Sequence, residues 1–314
     1  MSFTIAIKEE ISKIQNSPSE RIAELSGYIR NGGIINNHKI VMTSENKFIV
    51  DRIVKGIRDS YNTEAKIDII ENLNFSKKDL YQITINENVE KILQNLGIID
   101  EKEKYLEVVP NYIVGGNEEI RAYLRGVFCS VGSINDPKKS RYHMELLVSR
   151  PNESVFIQKL LNLFDLNAKI LNREKGYMIY IKEAEKISDF LKIIGANKAV
   201  LYFEDVRIYR DQKNKTNRLN NMEQANMDKV IQTATSQLED IQMIEDNDGV
   251  MLLDNKVREV LEYRKKYPEA SSKELAEIIS IETEKSITKS GLNHRLRKIK
   301  ELADSFRKMN KKSQ

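Results

Sequence analysis

Basic and amide side chains recur at helical spacing near the C-terminus, within residues 288–300. Asn293, His294 and Arg297 fall on one face of the helix that this spacing predicts, and Ser290 joins them from the preceding turn. Another face is apolar and predicts a buried stripe of Leu292, Leu296, Ile299, Ala303 and Phe306. Arginine reads guanine and asparagine reads adenine through paired hydrogen bonds, whereas lysines neutralise phosphates. The run therefore predicts contact with double-stranded DNA.

Two shorter helices are predicted before this run, which gives the order of a helix-turn-helix. The first ends near Tyr267, and the second opens at Ser271 and Glu274 with the pattern of a capping box. The start of the third helix then meets base edges in the major groove. The predicted DNA contacts are Ser272, Lys273, Lys289, Ser290, Asn293, His294, Arg295, Arg297 and Lys298. The connection over residues 280–287 is longer than the usual tight turn, and a protein-docking helical bundle is the alternative.

The composition predicts a soluble protein of about two domains. The chain has 314 residues, of which 40% are hydrophobic and 31% charged. It shows neither an apolar run of membrane-spanning length nor a signal-peptide pattern. The chain has a single cysteine, Cys129, which excludes an internal disulfide. With only one cysteine and three histidines in the whole chain, a structural zinc site is disfavoured. We expect a cytoplasmic, nucleoid-associated protein that uses no metal and no cofactor and contacts no membrane.

Charge is distributed unevenly along the chain. The formal net charge is +4, but residues 256–312 carry 16 Lys and Arg against 9 Asp and Glu, a net of +7 that leaves −3 for the remainder. A basic end on a mildly acidic body fits a nucleic-acid partner.

The first two thirds of the chain contain an internal duplication. Four segments recur in one order at similar offsets: residues 25–33 match 124–132, 65–67 match 168–170, 81–85 match 177–181, and 89–97 match 187–195. Such self-similarity predicts a repeated unit of helix, strands, helix, strands and helix. The repeats cover about residues 17–98 and 117–197 and form an α+β domain with pseudo-twofold symmetry.

Turn and cap residues predict where the first helix of each repeat begins. Ser17 and Glu20 form a capping box around Pro18, and Asn117 is the predicted cap in the second repeat.

Glycines predict how these two helices pack. Gly27 and Gly126 lack a Cβ, so the helices can meet backbone to backbone at the pseudo-twofold axis. Gly33 and Gly132 are predicted to end the helices in the left-handed conformation.

Residues 204–250 interrupt the repeat pattern and are predicted to form a basic segment followed by a linking helix. The helix is marked by apolar residues at three- to five-residue steps, namely Met222, Ala225, Val230, Ala234, Leu238, Ile241 and Ile244. The run 245–249 breaks it. We interpret the basic part as a solvated connector, with direct DNA contact as the alternative.

The paired glycine-bearing helices resemble the LAGLIDADG helices of homing endonucleases. In those enzymes the penultimate residue of the motif is acidic and holds the metals that cut DNA. Gly32 and Val131 occupy that position here, and neither can bind a metal. Asp136 lies beyond the motif, in a turn beside Pro137. The resemblance implies the frame of a nuclease without its chemistry, so we expect no enzymatic activity; a residual metal-dependent endonuclease is the disfavoured alternative.

Longer motifs resemble the WhiA family of bacterial regulators over nearly the whole chain. They lie at residues 124–128, 132–137, 142–145, 217–221 with 225–226, and 289–299. The resemblance implies a degenerate LAGLIDADG domain joined to a helix-turn-helix, and a role in sporulation, cell division or chromosome segregation. Cys129, Ser130 and Val131 depart from the small, glycine-bearing stretch of the family.

Three segments follow from these observations: a degenerate LAGLIDADG-like domain over residues 1–203, the linking segment 204–250, and an all-α helix-turn-helix domain over residues 251–314. The leading hypothesis is a non-enzymatic, sequence-specific DNA-binding regulator. The alternative is a scaffold for cell division that binds a protein or a ligand and contacts DNA only secondarily. Regulatory or division proteins are further expected partners.

Overall fold

The computed structural model of the chain describes residues 2–36, 38–70, 79–139 and 141–310. The chain forms two compact units, Met1–Arg210 and Asp211–Gln314. The boundaries predicted at residues 203 and 250 remain predictions.

The first unit contains two α/β repeats preceded by one helix. Its elements are α1 Phe3–Ile11, α2 Pro18–Gly32, β1 Ile34–Asn36, β2 Lys39–Ser44, α3 Lys47–Tyr61, β3 Lys66–Ile70, β4 Leu80–Ile85, α4 Val89–Asn95, α5 Asn117–Val131, β5 Gly132–Ile134, β6 Met144–Val148, α6 Pro151–Asn162, β7 Lys169–Arg173, β8 Gly176–Ile181 and α7 Ala184–Ile193. A single turn of 3-10 helix at Asn111–Ile113 joins the repeats. Helix α8, Asn197–Glu245, begins in this unit and continues into the second.

The two repeats have the same topology, which confirms the duplication predicted from sequence. Each contains a four-stranded antiparallel sheet, with orders β1-β2-β4-β3 and β5-β6-β8-β7. Even the central register is equivalent, since Ile40 pairs with Ile85 in one sheet and Met144 with Ile181 in the other. These four side chains are buried, and the strands that carry them pack against helices of the same repeat.

Helices α2 and α5 pack directly against each other through their glycines, as the sequence predicts. A Cβ built on Gly27 would lie 2.4 Å from the carbonyl oxygen of Tyr123 in α5. One built on Gly126 would lie 2.1 Å from the carbonyl oxygen of Glu24 in α2. Because both obstacles are backbone atoms, only glycine permits this separation of the two helices.

The helix ends differ from two of the predictions. Gly33 and Gly132 are extended, with φ of −84° and −92°, because each leads straight into the next strand. They are needed for space instead, since a Cβ would lie 2.6 Å from the carbonyl oxygen of Ile29 and 2.3 Å from Cδ2 of Phe128, respectively. Asn117 is also not a cap: it is the first helical residue of α5, and Gly116 precedes it without a side-chain bond.

Helix α1 completes the core of the first unit. Its apolar residues Phe3, Ile7 and Ile11 are buried. The hydroxyl of Thr4 donates to the carbonyl oxygen of Ile134 and accepts from its amide, both at 2.9 Å. The N-terminal helix thus packs against the second repeat, although it precedes the first in sequence.

Two buried ion clusters connect the elements of the repeats. The carboxylate of Glu24 accepts hydrogen bonds from Arg52, from Nε of Arg125 at 2.8 Å and from Nδ2 of Asn16 at 2.7 Å. Arg30 pairs with Glu153. All four ionic side chains other than that of Arg52 are at most 5% exposed. Charge-assisted bonds of this kind satisfy buried groups that would otherwise be costly.

Cys129 is buried in α5, and we expect its thiol to be inert in the folded protein. Burial raises the pKa of this thiol to about 12, so at neutral pH its thiolate fraction falls by about three orders of magnitude relative to a free cysteine. A disulfide reagent should label the native protein very slowly and the denatured protein fully. Rapid stoichiometric labelling of the native chain would contradict this packing.

The second unit is helical. After α8 come α9 Asn255–Lys266, α10 Ser272–Thr283 and α11 Lys289–Asn310, with one 3-10 turn at Gly249–Leu252. A capping box at Ser271 and Glu274 starts α10, as predicted. Helix α10 continues to Thr283, so the connection to α11 is shorter than the sequence suggested and spans residues 284–288. The apolar core draws on all four helices, including Ile241, Val260, Leu275 and Leu292.

Helix α8 is one continuous element where the sequence predicted a basic segment and a separate helix. It ends at Glu245, where the break was expected. Residues 211–229 of this helix are exposed, and burial begins further along, at Ala234, Ile241 and Ile244. Among the described residues, none of the helices combines the length and the apolar character that crossing a bilayer requires.

Candidate nucleic-acid interface

Helix α11 presents its polar residues to solvent and its apolar residues to the core of the second unit. Leu292, Leu296, Ile299 and Ala303 are buried, and Phe306 packs against them partly exposed. The hydroxyl of Thr288 accepts a hydrogen bond from the amide of Gly291 at 3.1 Å, which caps the helix. The 3.6-residue period of the sequence therefore fixes which side of α11 points outward.

Five of the predicted contact residues lie exposed on the first three turns of α11. They are Lys289, Ser290, Asn293, His294 and Arg297. Lys289, Asn293 and Arg297 follow one another at four-residue steps, so their side chains form one row along the helix. Such a row combines a cation for phosphate with an amide and a guanidinium for base edges.

Arg295 and Lys298 have a different environment from the other predicted residues. Arg295 lies 4.0 Å from a carboxylate oxygen of Glu259, and Lys298 lies 3.2 Å from one of Asp254, so both reach back to α9. Asp254 also caps α9, because its carboxylate accepts a hydrogen bond from the amide of Val257. This hydrogen bond has the largest effect in lowering the pKa of Asp254, and the hydrogen bond from Lys298 has the next largest. These two cations are thus paired, at least in part, within the helix bundle.

The remaining predicted residues, Ser272 and Lys273, are the first two residues of α10. The structure brings them beside Lys289, where all three line one concavity of about 200 Å³. The same concavity is lined by Lys229 of α8 and Arg264 of α9, which sequence reasoning missed. Helical periodicity could not reveal them, because they lie on other helices and meet only through tertiary packing.

Three family models match successive parts of the chain. The WhiA N-terminal LAGLIDADG-like domain matches residues 18–99, the WhiA LAGLIDADG-like domain residues 120–213, and the WhiA C-terminal HTH domain residues 216–303. The probable cell division protein WhiA of Enterococcus faecalis is 40% identical over 311 residues, covering 98% of this chain and 99% of that protein.

The chain belongs to the WhiA family. A second relative, the probable cell division protein WhiA of Lactobacillus acidophilus, is 38% identical over 98% of this chain and 99% of its own length. Among solved structures, full-length WhiA from Thermatoga maritima is 24% identical and matches with a TM-score of 0.60, covering 98% of this chain and 99% of that one. This match supports the fold of a LAGLIDADG-like body with a helical HTH domain.

The paired LAGLIDADG-type helices of this WhiA chain carry no acid at the motif's penultimate position. Gly32 of α2 faces α5 so closely that a Cβ would lie 2.0 Å from Oγ of Ser130. Val131 is the last residue of α5. Among the residues that the structure describes, no group of three or more His, Cys, Asp or Glu side chains is arranged to hold a metal ion.

Proposed function

We propose that this WhiA chain is a sequence-specific DNA-binding regulator that acts in cell division, chromosome segregation or sporulation. The observation that carries the proposal is the exposed row on α11, where Lys289, Asn293 and Arg297 project from the HTH domain. Division is the process named for the relatives in Enterococcus faecalis and Lactobacillus acidophilus. A DNA-bound regulator of this kind acts in the cytoplasm, at the nucleoid.

The proposed activity is binding without catalysis. The positions equivalent to the metal-holding acids of LAGLIDADG nucleases are Gly32 and Val131, and neither side chain offers an oxygen ligand. We therefore expect no hydrolytic step at the α2–α5 pair. We expect a duplex that binds the protein to remain uncut in the presence of Mg²⁺ or Mn²⁺; nicks that require the protein would contradict this.

Substitutions on α11 test the base-reading role. We expect Arg297→Ala and Asn293→Ala each to weaken binding to a selected genomic site by about 1–3 kcal/mol and to relax discrimination at one base pair. Binding would be measured at near-physiological salt against the selected site and a shuffled duplex. Lys308→Ala is the matched control, because Lys308 is an exposed cation in the last turn of the same helix.

The ratio of the affinities for the selected and the shuffled duplex distinguishes base reading from backbone contact. A variant that loses affinity equally for the selected and shuffled DNA would show that its side chain contacts only the backbone. Arg297→Ala binding as tightly and as selectively as the wild type would overturn the proposal for this face of α11.

A further inference from the structure

A concavity in the second unit gathers cations from four helices. Lys229 of α8, Arg264 of α9, Lys273 of α10 and Lys289 of α11 all line it. Its volume is about 200 Å³, and none of its lining residues is an aspartate or a glutamate. Unlike a row of surface lysines on one helix, this arrangement depends on the folded bundle.

Arg264 is the unusual member of the group, because it is only 1% exposed. Its Nη1 donates to the carbonyl oxygens of Ala270 at 2.6 Å and Tyr267 at 3.3 Å. Its Nε has no hydrogen-bond partner among the described residues, and none of the ion pairs among those residues includes Arg264. A buried guanidinium ordinarily has a carboxylate partner, because an uncompensated buried charge is unfavourable.

Helix α10 supplies neutral donors at the same place. Its first two residues, Ser272 and Lys273, have backbone amides without acceptors inside the helix, while the hydroxyl of Ser271 caps the amide of Glu274. Amides at a helix N-terminus bind anions well. Glu274 is engaged with its own cap, since it accepts from the amide of Ser271 at 2.8 Å. Of the cations at the site, Lys273 has an acidic neighbour: a carboxylate oxygen of Glu277 lies 3.9 Å from its Nζ, and both side chains are exposed.

We propose that this concavity is a phosphate-binding site, filled by a strand phosphate of bound DNA or by a free phosphate group. A phosphate has several acceptor oxygens and suits the fork of an arginine together with lysines and helix amides. The strand-phosphate form rests on the proposed function, since Ser272, Lys273 and Lys289 belong both to this site and to the predicted DNA contacts. The site would then anchor the backbone beside the base-reading row of α11.

The full-length protein and two exposed lysines provide the test. Thermal unfolding of the wild type, Lys229→Gln and Lys289→Gln would be compared in sodium phosphate and in sodium chloride of equal ionic strength. We expect phosphate to raise the Tm of the wild type and of the control Lys256→Gln, and to raise that of the two pocket variants by less than half as much. Lys256 is exposed on α9 and does not line the concavity.

DNA binding across a salt series distinguishes the source of the phosphate. If a strand phosphate occupies the site, Lys229→Gln should bind DNA about three- to tenfold more weakly, and the slope of log affinity against log salt should fall by about one. A phosphate effect on Tm without any change in DNA binding would support a free phosphate group instead. If phosphate and chloride act alike on all four proteins and DNA affinity is unchanged, the proposal is overturned.

The two proposals can fail separately. Equal binding of the wild type to every duplex would remove the sequence-specific function. A phosphate-dependent rise in Tm that Lys229→Gln abolishes would still establish the site.

Discussion

Replacing Glu24 by glutamine is expected to destabilise the first unit by about 3–5 kcal/mol, because it leaves two largely buried guanidinium groups without their shared counterion. Glu24 is 3% exposed, and its carboxylate pairs with Arg52 of α3 and Arg125 of α5. The amide of glutamine fits the space but carries no charge, and its NH2 group would face other donors. The carbonyl oxygens of Ser12 and Ile14, which accept from Arg52, do not replace the lost charge.

Denaturant unfolding monitored by far-UV circular dichroism measures this loss of stability. The chain has no tryptophan, so circular dichroism is preferable to tryptophan fluorescence as the signal. Glu118→Gln is the matched control: that carboxylate is 65% exposed and 3.7 Å from Arg121, and a surface change of this kind should alter stability by less than about 0.5 kcal/mol. If Glu24→Gln unfolded at the same denaturant concentration as the control, the buried cluster would have no role in stability.

The same cluster predicts a dependence on pH. Burial alone would raise the pKa of Glu24, but hydrogen bonds and positive charge from Arg52 and then Arg125 lower it below its ordinary value. A depressed folded-state pKa means that the carboxylate stabilises the fold above about pH 4.3, the unfolded value, and loses this contribution as the pH falls further. The Glu24→Gln variant should therefore show a weaker loss of stability on acidification than the wild type.

The sequence predicted those features of the fold that depend on local pattern. Ser17 and Ser271 each open a helix through a capping box that four consecutive residues are enough to specify. The apolar stripe of α11 follows from its period. The duplication could be predicted because both repeats carry similar residues at equivalent positions. Gly27 and Gly126 are one such pair, and each allows the backbones of α2 and α5 to approach closely.

Long-range packing accounts for what the sequence could not predict. Helix α1 is short and was missed, since its buried residues pack against α3 of the first repeat and β5 of the second, which are both distant in sequence. Gly33 and Gly132 were expected to be left-handed, but whether a glycine serves conformation or space depends on neighbours such as Phe128. The same holds for the candidate site. The α11 row follows from helical spacing in the sequence, whereas the burial of Arg264 and its lack of a carboxylate partner among the described residues depend on tertiary packing.

A methyl group at Gly126 should have an effect comparable to the loss of Glu24, although it changes no charge. In Gly126→Ala the new Cβ would lie 2.1 Å from the carbonyl oxygen of Glu24 and 3.0 Å from the amide nitrogen of Tyr28. Both belong to the backbone of α2, so neither a rotamer change nor a side-chain shift relieves the contact. The two helices must separate, and the resulting gaps reach the buried core on both sides of their interface. We expect a loss of about 3 kcal/mol or more.

Gly56→Ala tests whether the helix interface, and not the mere addition of a methyl group, causes this loss. Gly56 also lies within a helix, but its Cβ would meet only the tip of Leu25, with Cδ2 at 3.3 Å. A small shift of that side chain, together with the roughly 1 kcal/mol by which alanine favours a helix over glycine, should leave stability nearly unchanged. Similar unfolding midpoints for the two alanine variants would contradict backbone contact between α2 and α5. We expect a large loss of stability only in Gly126→Ala, because α2 and α5 can approach this closely only if glycine lies where they cross.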